Sequence, residues 1–250
     1  MSDEMKRTAA VILAGGSGTR MGETTPKQYL DLGGYPLIYY SLKAFSESFV
    51  DEIVLVCKEG EEDYCSSEIV ERYGFSKVKS IATGGAERFH SVYNGLKALR
   101  CMDEGEGRDV CDIVFIHDGA RPFVTEEILR RAYSSALENK AAIVAVPAKD
   151  TVKMADTDGY ACRTIQRDHV WQAQTPQVFD FYNIYDAYGH LMELVEENPE
   201  EGIAVTDDAM VLEMFSDIRV KLVMGDYRNI KITTADDLYL ARCFVSGMGR

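Results

Sequence analysis

Three glycines in four residues follow the first apolar run of the chain, within Ala14-Gly15-Gly16-Ser17-Gly18-Thr19-Arg20-Met21-Gly22. Backbone without side chains can close on a ligand and turn successive N–H groups toward it, which is the geometry a phosphate group needs. Neither common phosphate-loop pattern fits. G-x-x-x-x-G-K-[ST] is absent, and G-x-G-x-x-G read from Gly16 meets Met21 where its last glycine should stand. A tight strand-to-helix turn would use the same glycines, but it has no need of two cations. Arg20 lies in the loop and Lys27 a little beyond it, in Pro26-Lys27-Gln28, and two cations flanking such a loop suit a triphosphate. Asp118 ends another apolar run. A carboxylate there can hold Mg²⁺, which prefers hard oxygen ligands shared with phosphates, or it can simply anchor a loop. Arg121 can grip a phosphomonoester by paired hydrogen bonds or make a surface ion pair. His117 reads as a packing residue rather than a general base.

These groups need a frame. Short β-type runs at 8–13, 52–56, 77–81, 112–116, 141–146 and 220–223 alternate with helical patterns at 36–45, up to about 72, and at 86–99, where Val92, Leu96 and Leu99 share one face. Thr125 is placed to cap the next helix, and further helices fall near 180–197, near 206–214 and from about 234. Strands apolar on both sides and separated by helices predict a doubly wound, mostly parallel α/β sheet, Rossmann-like in layout, with ligands at the carboxyl ends of its strands. Residues 150–176 break the rhythm. The turn Asp156-Thr157-Asp158-Gly159 between two β-like runs predicts a projecting β-hairpin arm, either a surface excursion or a dimerisation arm. With no linker or repeat, residues 1–250 read as one domain.

Composition narrows the function. With 27 Lys and Arg against 41 Asp and Glu, the net charge is −14, which argues against nucleic-acid binding. No apolar run approaches a membrane span, and residues 1–8 are polar, so neither membrane nor secretory signal is expected and the cytoplasm is the expected compartment. Six cysteines without a C-x-x-C, and four scattered histidines, give no support to a zinc or dithiol site.

Several segments carry a resemblance, in order along nearly the whole chain. The loop A-G-G-x-G-T-R-M-G followed by P-K-Q resembles the signature of sugar-nucleotide-type pyrophosphorylases. Gly84-Gly85-Ala86-Glu87-Arg88-Phe89-His90-Ser91-Val92, His117-Asp118-Gly119-Ala120-Arg121-Pro122, Pro147-Ala148-Lys149-Asp150-Thr151-Val152-Lys153, Trp171-Gln172-Ala173-Gln174-Thr175-Pro176-Gln177 and Asn229-Ile230-Lys231-Ile232-Thr233 resemble cytidylyltransferase segments. The chain is thereby identified as similar to the 2-C-methyl-D-erythritol 4-phosphate cytidylyltransferases. The resemblance implies CTP and a sugar-alcohol phosphate as substrates and Mg²⁺ or another divalent cation at Asp118. It gives Arg20 and Lys27 the catalytic roles and places Ala14, Gly15, Gly16, Gly18, Gly85, Ala86, Ser91, Asp118 and Gly119 around the nucleotide. Arg121, Thr151, Arg167, Thr175 and Lys231 are assigned to the acceptor on the resemblance alone. A homodimer is implied as well, its arm completing the partner's site. Gly15 and Ala86 depart from the usual Ala and Asp of these enzymes, and the glycine loop is also common in D-ribitol 5-phosphate cytidylyltransferases. That acceptor, a non-catalytic nucleotide-binding domain and a dinucleotide-dependent oxidoreductase are the competing readings.

Overall fold

The computed structural model describes residues 6–16, 26–106, 111–198 and 203–248. Its strands are β1 (Thr8–Leu13), β2 (Asp31–Leu32), β3 (Tyr35–Pro36), β4 (Glu52–Cys57), β5 (Val78–Thr83), β6 (Ile113–Asp118), β7 (Ala141–Pro147), β8 (Lys153–Ala155), β9 (Ala161–Thr164), β10 (Trp171–Asp180) and β11 (Lys221–Met224). Its helices are α1 (Leu37–Ser46), α2 (Glu62–Tyr64, running on as a π-helical stretch Cys65–Glu71), α3 (Arg88–Glu106), α4 (Glu126–Asn139), α5 (Phe181–Glu197), α6 (Asp208–Phe215) and α7 (Ala235–Met248).

Seven strands form one sheet in the order β11-β7-β10-β6-β1-β4-β5. The central strands β1, β4, β6 and β7 are apolar and buried along almost their whole length, as strands covered on both faces must be. On one face α1, the π-helical stretch and α4 pack Ile38, Leu42, Phe45, Ile69, Ile128 and Leu129 against the sheet. On the other, α3, α5 and α6 contribute Val92, Leu96, Leu99, Ile184, Tyr188 and Leu212. The expected face of α3 is therefore the buried one. Thr125 caps α4, its hydroxyl accepting from the Ile128 N–H. A smaller cluster seats α7 through Leu238 and Ala241 on Leu32, Leu37, Phe123 and Ile232.

The mostly parallel sheet carries one departure that the apolar pattern does not announce. β10 runs antiparallel to both neighbours, β6 and β7, in the middle of the sheet. Three glutamines and Pro176 break its pattern, and a proline ordinarily argues against an interior strand. The ladder with β7 shifts register between Ala173 and Gln177, so the proline falls in the irregular part, outside the pairing. The hairpin is correspondingly shorter than 150–176: β8 pairs only with β9, both fully exposed, and Trp171 already belongs to the main sheet.

Candidate active site

A pocket of about 630 Å³ opens at the carboxyl ends of β1, β4, β5 and β6, lined among others by Gly15, Lys58, Gly85 and Asp118. β1 lies between β4 and β6 in the sheet, so the chain after it leads first to one side and later to the other, and the crevice lies where the order reverses.

The floor is backbone brought close to backbone. Ala14 N–H bonds the Val56 carbonyl at 2.6 Å, and Gly119 N–H the Leu13 carbonyl at 2.9 Å. A Cβ on Gly119 would stand 2.8 Å from the Leu13 oxygen and collide with Ile38 Cδ1, so only glycine lets β6 end against β1 here. Gly15 is less constrained: a Cβ there would make ordinary contact at 3.7 Å with Cys57 and Lys58, which leaves room for the alanine usual in the resembling enzymes. Lys27 lies across Gly16, its Cε and Nζ 3.2 and 3.6 Å from where a Cβ would stand. Gly18 and Arg20 lie outside the described residues.

At the other end, Gly84 N–H donates to the Cys57 carbonyl at 2.7 Å and Gly85 N–H to Ser91 Oγ at 3.1 Å, while the Ser91 hydroxyl donates to the Glu87 carbonyl at 3.3 Å. Ser91 thus ties the Gly84–Gly85 turn to the start of α3, and Ala86 lines the pocket beside it.

Asp118 is the hub. Lys231 Nζ lies 2.7 Å from its Oδ2 and Arg88 Nε 3.4 Å from its Oδ1. Burial alone pushes this carboxyl up, but the charges of Arg88 and Lys231 outweigh it and hold it well below the usual carboxylate range. It is therefore ionised throughout the neutral range. Its backbone is fixed from behind by Thr175. The Asp118 N–H donates to Thr175 Oγ1 at 3.1 Å, and Thr175 Oγ1 lies 3.0 Å from His117 Nδ1. His117 Nε2 lies 3.2 Å from the Arg121 carbonyl, which can only accept, so the proton sits on Nε2 and the Thr175 hydroxyl donates to Nδ1. Desolvation pushes the fully buried imidazole down to about 4. His117 is a neutral strut, as its packing reading implies, and the Thr175 hydroxyl is committed to His117 and Asp118. Arg121 donates to the Asn229 carbonyl at 2.8 Å, and its buried Nε has no partner.

Two residues that sequence reasoning passed over complete the charge pattern. Arg88 lines the pocket, and its two Nη atoms clamp both oxygens of Asp208 at 2.7 Å. Asp208 is fully buried and also accepts from the Tyr188 hydroxyl at 2.6 Å. Burial lowers the Arg88 pKa, but Asp208 and Asp118 raise it further than burial lowers it. Breaking such a buried pair by removing one partner costs about 3–5 kcal/mol, because the other charge is left uncompensated. Arg88 stands inside the Gly84–Val92 segment and could have been singled out there. Asp208, in Thr206-Asp207-Asp208 before an apolar stretch, looks like a helix cap, and nothing local signals its burial.

Of the expected site residues, Gly15, Gly16, Lys27, Gly85, Ala86, Ser91, Asp118 and Lys231 line one pocket. Ala14, Gly119 and Thr175 support it from behind, and Arg121 packs close to Asp118. Thr151 and Arg167 do not join them: they are exposed on the segment between β7 and β10, where Arg167 donates to the Lys149 carbonyl at 3.1 Å.

Glycine-rich strand end, converging cations and a buried acid, set in this sheet, define a nucleotidyltransferase-like α/β protein. Residues 8–247 match the protein family described as IspD, 2-C-methyl-D-erythritol 4-phosphate cytidylyltransferase, and the chain belongs to that family. It is 48% identical over 237 residues to the 2-C-methyl-D-erythritol 4-phosphate cytidylyltransferase of Geobacter metallireducens, covering 94% of this chain and 96% of that one. With the enzyme of that name from Clostridium beijerinckii it shares 43% over 241 residues, covering 96% and 99%. Among solved structures it is similar to 4-diphosphocytidyl-2C-methyl-D-erythritol synthase from Anaerococcus prevotii, with a TM-score of 0.79, 35% identity and coverage of 96% and 99%.

Proposed function

We propose that the protein transfers the CMP part of CTP to the phosphate of 2-C-methyl-D-erythritol 4-phosphate, giving 4-diphosphocytidyl-2-C-methyl-D-erythritol and pyrophosphate. The observation that carries this reading is the convergence of Lys27, Arg88 and Lys231 with the ionised Asp118 on one pocket at a glycine-rich strand end, in a chain of this family. An acceptor phosphate oxygen attacks the α-phosphorus. The new P–O–P bond forms as the bond to the β-phosphate oxygen breaks, and pyrophosphate leaves with the electron pair. The acceptor phosphate is already ionised at neutral pH, so no general base is required, in keeping with a neutral, buried His117. Catalysis is positioning and charge neutralisation. Lys27, over Gly16, meets charge developing on the α-phosphate and leaving group, and Arg20 shares that role. Ala14, Gly15, Gly16 and Gly18 receive the phosphates, and Gly85, Ala86 and Ser91 the nucleoside. Lys231 and Arg121 face the acceptor phosphate.

The residues present fit a divalent cation. Asp118 supplies an ionised oxygen donor, and its Oδ1 makes only a long contact of 3.4 Å to Arg88. Among the described residues no group of three or more His, Cys, Asp or Glu could hold a metal, so Asp118 would act with substrate phosphates and water, as is usual for Mg²⁺. Held there by Asp118, a divalent ion would supply positive charge to offset that of the substrate phosphates.

The reading includes a homodimer in which the arm carries Thr151 and Arg167 to the partner's site; their exposure away from their own pocket supports it. It also includes a cytoplasmic setting, supported by six free cysteines, which suit a reducing compartment. Among the described residues no helix is long and apolar enough to cross a membrane.

The test is pyrophosphate release from CTP and Mg²⁺ with 2-C-methyl-D-erythritol 4-phosphate or D-ribitol 5-phosphate. Release with the first alone is expected. Release with the second alone would reassign the acceptor, and silence with both would leave a nucleotide-binding role.

A further inference from the structure

We infer that Asp208, a fully buried residue outside the pocket lining, is a positioning residue for the transfer, acting through Arg88 on Asp118. The inference rests on the function proposed above. A single guanidinium is shared by two acids in unequal fashion. Both Nη atoms hold Asp208 at 2.7 Å, whereas Nε faces Asp118 at 3.4 Å. The two-point clamp fixes the plane of the guanidinium, so its remaining N–H edge points one way, at Asp118 Oδ1. Without the clamp, a long side chain at the pocket wall would regain its rotamers.

The clamp is itself tied to the sheet. Asp208 opens α6 and accepts the Tyr188 hydroxyl of α5 at 2.6 Å. Its neighbours are held by Gln177 of β10, which donates to Asp207 Oδ2 at 3.0 Å and accepts from the Ala209 N–H at 2.8 Å. The same strand carries Thr175, which holds the Asp118 backbone. β10 therefore sets Asp118 twice, once directly and once by way of α6 and Arg88. The competing view is that Arg88 and Asp208 merely lock α3 to α6, and kinetics separate the two.

The experiment is a double-mutant cycle of Asp208→Asn and Asp118→Asn, with kcat, KM for CTP and for the acceptor, and thermal midpoints. Removal of an outer-shell partner typically costs roughly 10- to 100-fold, and Asp208→Asn is expected to lower kcat in that range with KM for CTP little changed. In the Asp118→Asn background the same change should cost less than about 3-fold, because its target is already gone. Equal losses in both backgrounds, or an unchanged kcat in the wild-type background, would overturn the role. Should Asp208→Asn not fold, Tyr188→Phe removes one hydrogen bond and no charge. A several-fold fall in kcat well below its melting temperature is then expected, and full activity contradicts the inference. A folded wild-type protein inactive with CTP and the acceptor would sink the transfer reading and this role with it; an active one indifferent to Asp208 sinks this role alone.

Discussion

Lys27 gains its place from what Gly16 lacks. Its Cε and Nζ occupy space that a Cβ would press on, which brings an ammonium onto the glycine loop. Lys27→Ala is expected to lower kcat by about 10²-fold, the loss usual for one donor aimed at developing charge. Steady-state assays of the folded variant check this, and near-normal turnover would remove Lys27 from catalysis. His117 makes a prediction about stability instead. Its native pKa of about 4 lies below the ordinary 6.5, so as pH falls the unfolded chain takes up a proton that the folded one refuses. Stability is thus full above 6.5 and is lost as pH drops toward 4, by about 2 kcal/mol between pH 7 and pH 5. Asp118, depressed in its turn, sheds its contribution only below the ordinary carboxylate range. Urea unfolding at both pH values without divalent cation should show this slope in the wild type and a flatter one in His117→Gln. An equal slope in both would mean His117 is not the group.

At the scale of elements, the site depends on strands ending close together. Gly119 is the tightest point, facing the Leu13 carbonyl and Ile38 across it. Gly119→Ala should destabilise the fold by about 1–3 kcal/mol through overpacking. A chemical denaturation midpoint indistinguishable from wild type would show that β6 can shift at no cost. Much of this frame is legible from the residues alone. The runs at 8–13 and 141–146 are almost wholly apolar, short, and bounded by Gly15 or Pro147, and so read as covered strands. β10 is not legible in that way. Its Gln174, Thr175 and Gln177 are buried because they are hydrogen-bonded to Asp226, His117 and Asp207, partners 30 to 58 residues away in sequence. For the same reason Asp208 escapes notice: its significance lies in Arg88, 120 residues earlier. Glycines and cations within one loop announce themselves, whereas a buried polar residue is intelligible only with its partner.

Over the whole molecule the net charge of −14 opposes anionic substrates, so attraction must be local. Lys27, Lys58, Arg88 and Lys231 supply it at the pocket. The hairpin of β8 and β9 stands apart from the main sheet with every residue exposed, including Met154 and Tyr160. On the proposal that this arm joins two copies of the chain, replacing residues 153–164 by a short Gly-Ser turn is expected to give a monomer and to abolish most turnover while leaving the seven-stranded sheet folded. Sedimentation, circular dichroism and assay together check it, and a fully active monomer would contradict a shared site.

CMP transfer is visible in the bond that is made. ³¹P NMR of the protein with CTP, Mg²⁺ and 2-C-methyl-D-erythritol 4-phosphate should show the acceptor's phosphomonoester signal vanish. Two mutually coupled diphosphate resonances and free pyrophosphate should replace it, since the acceptor phosphorus becomes bonded through oxygen to the α-phosphorus. An intact acceptor signal, with CTP unchanged or giving inorganic phosphate alone, would contradict the transfer of CMP.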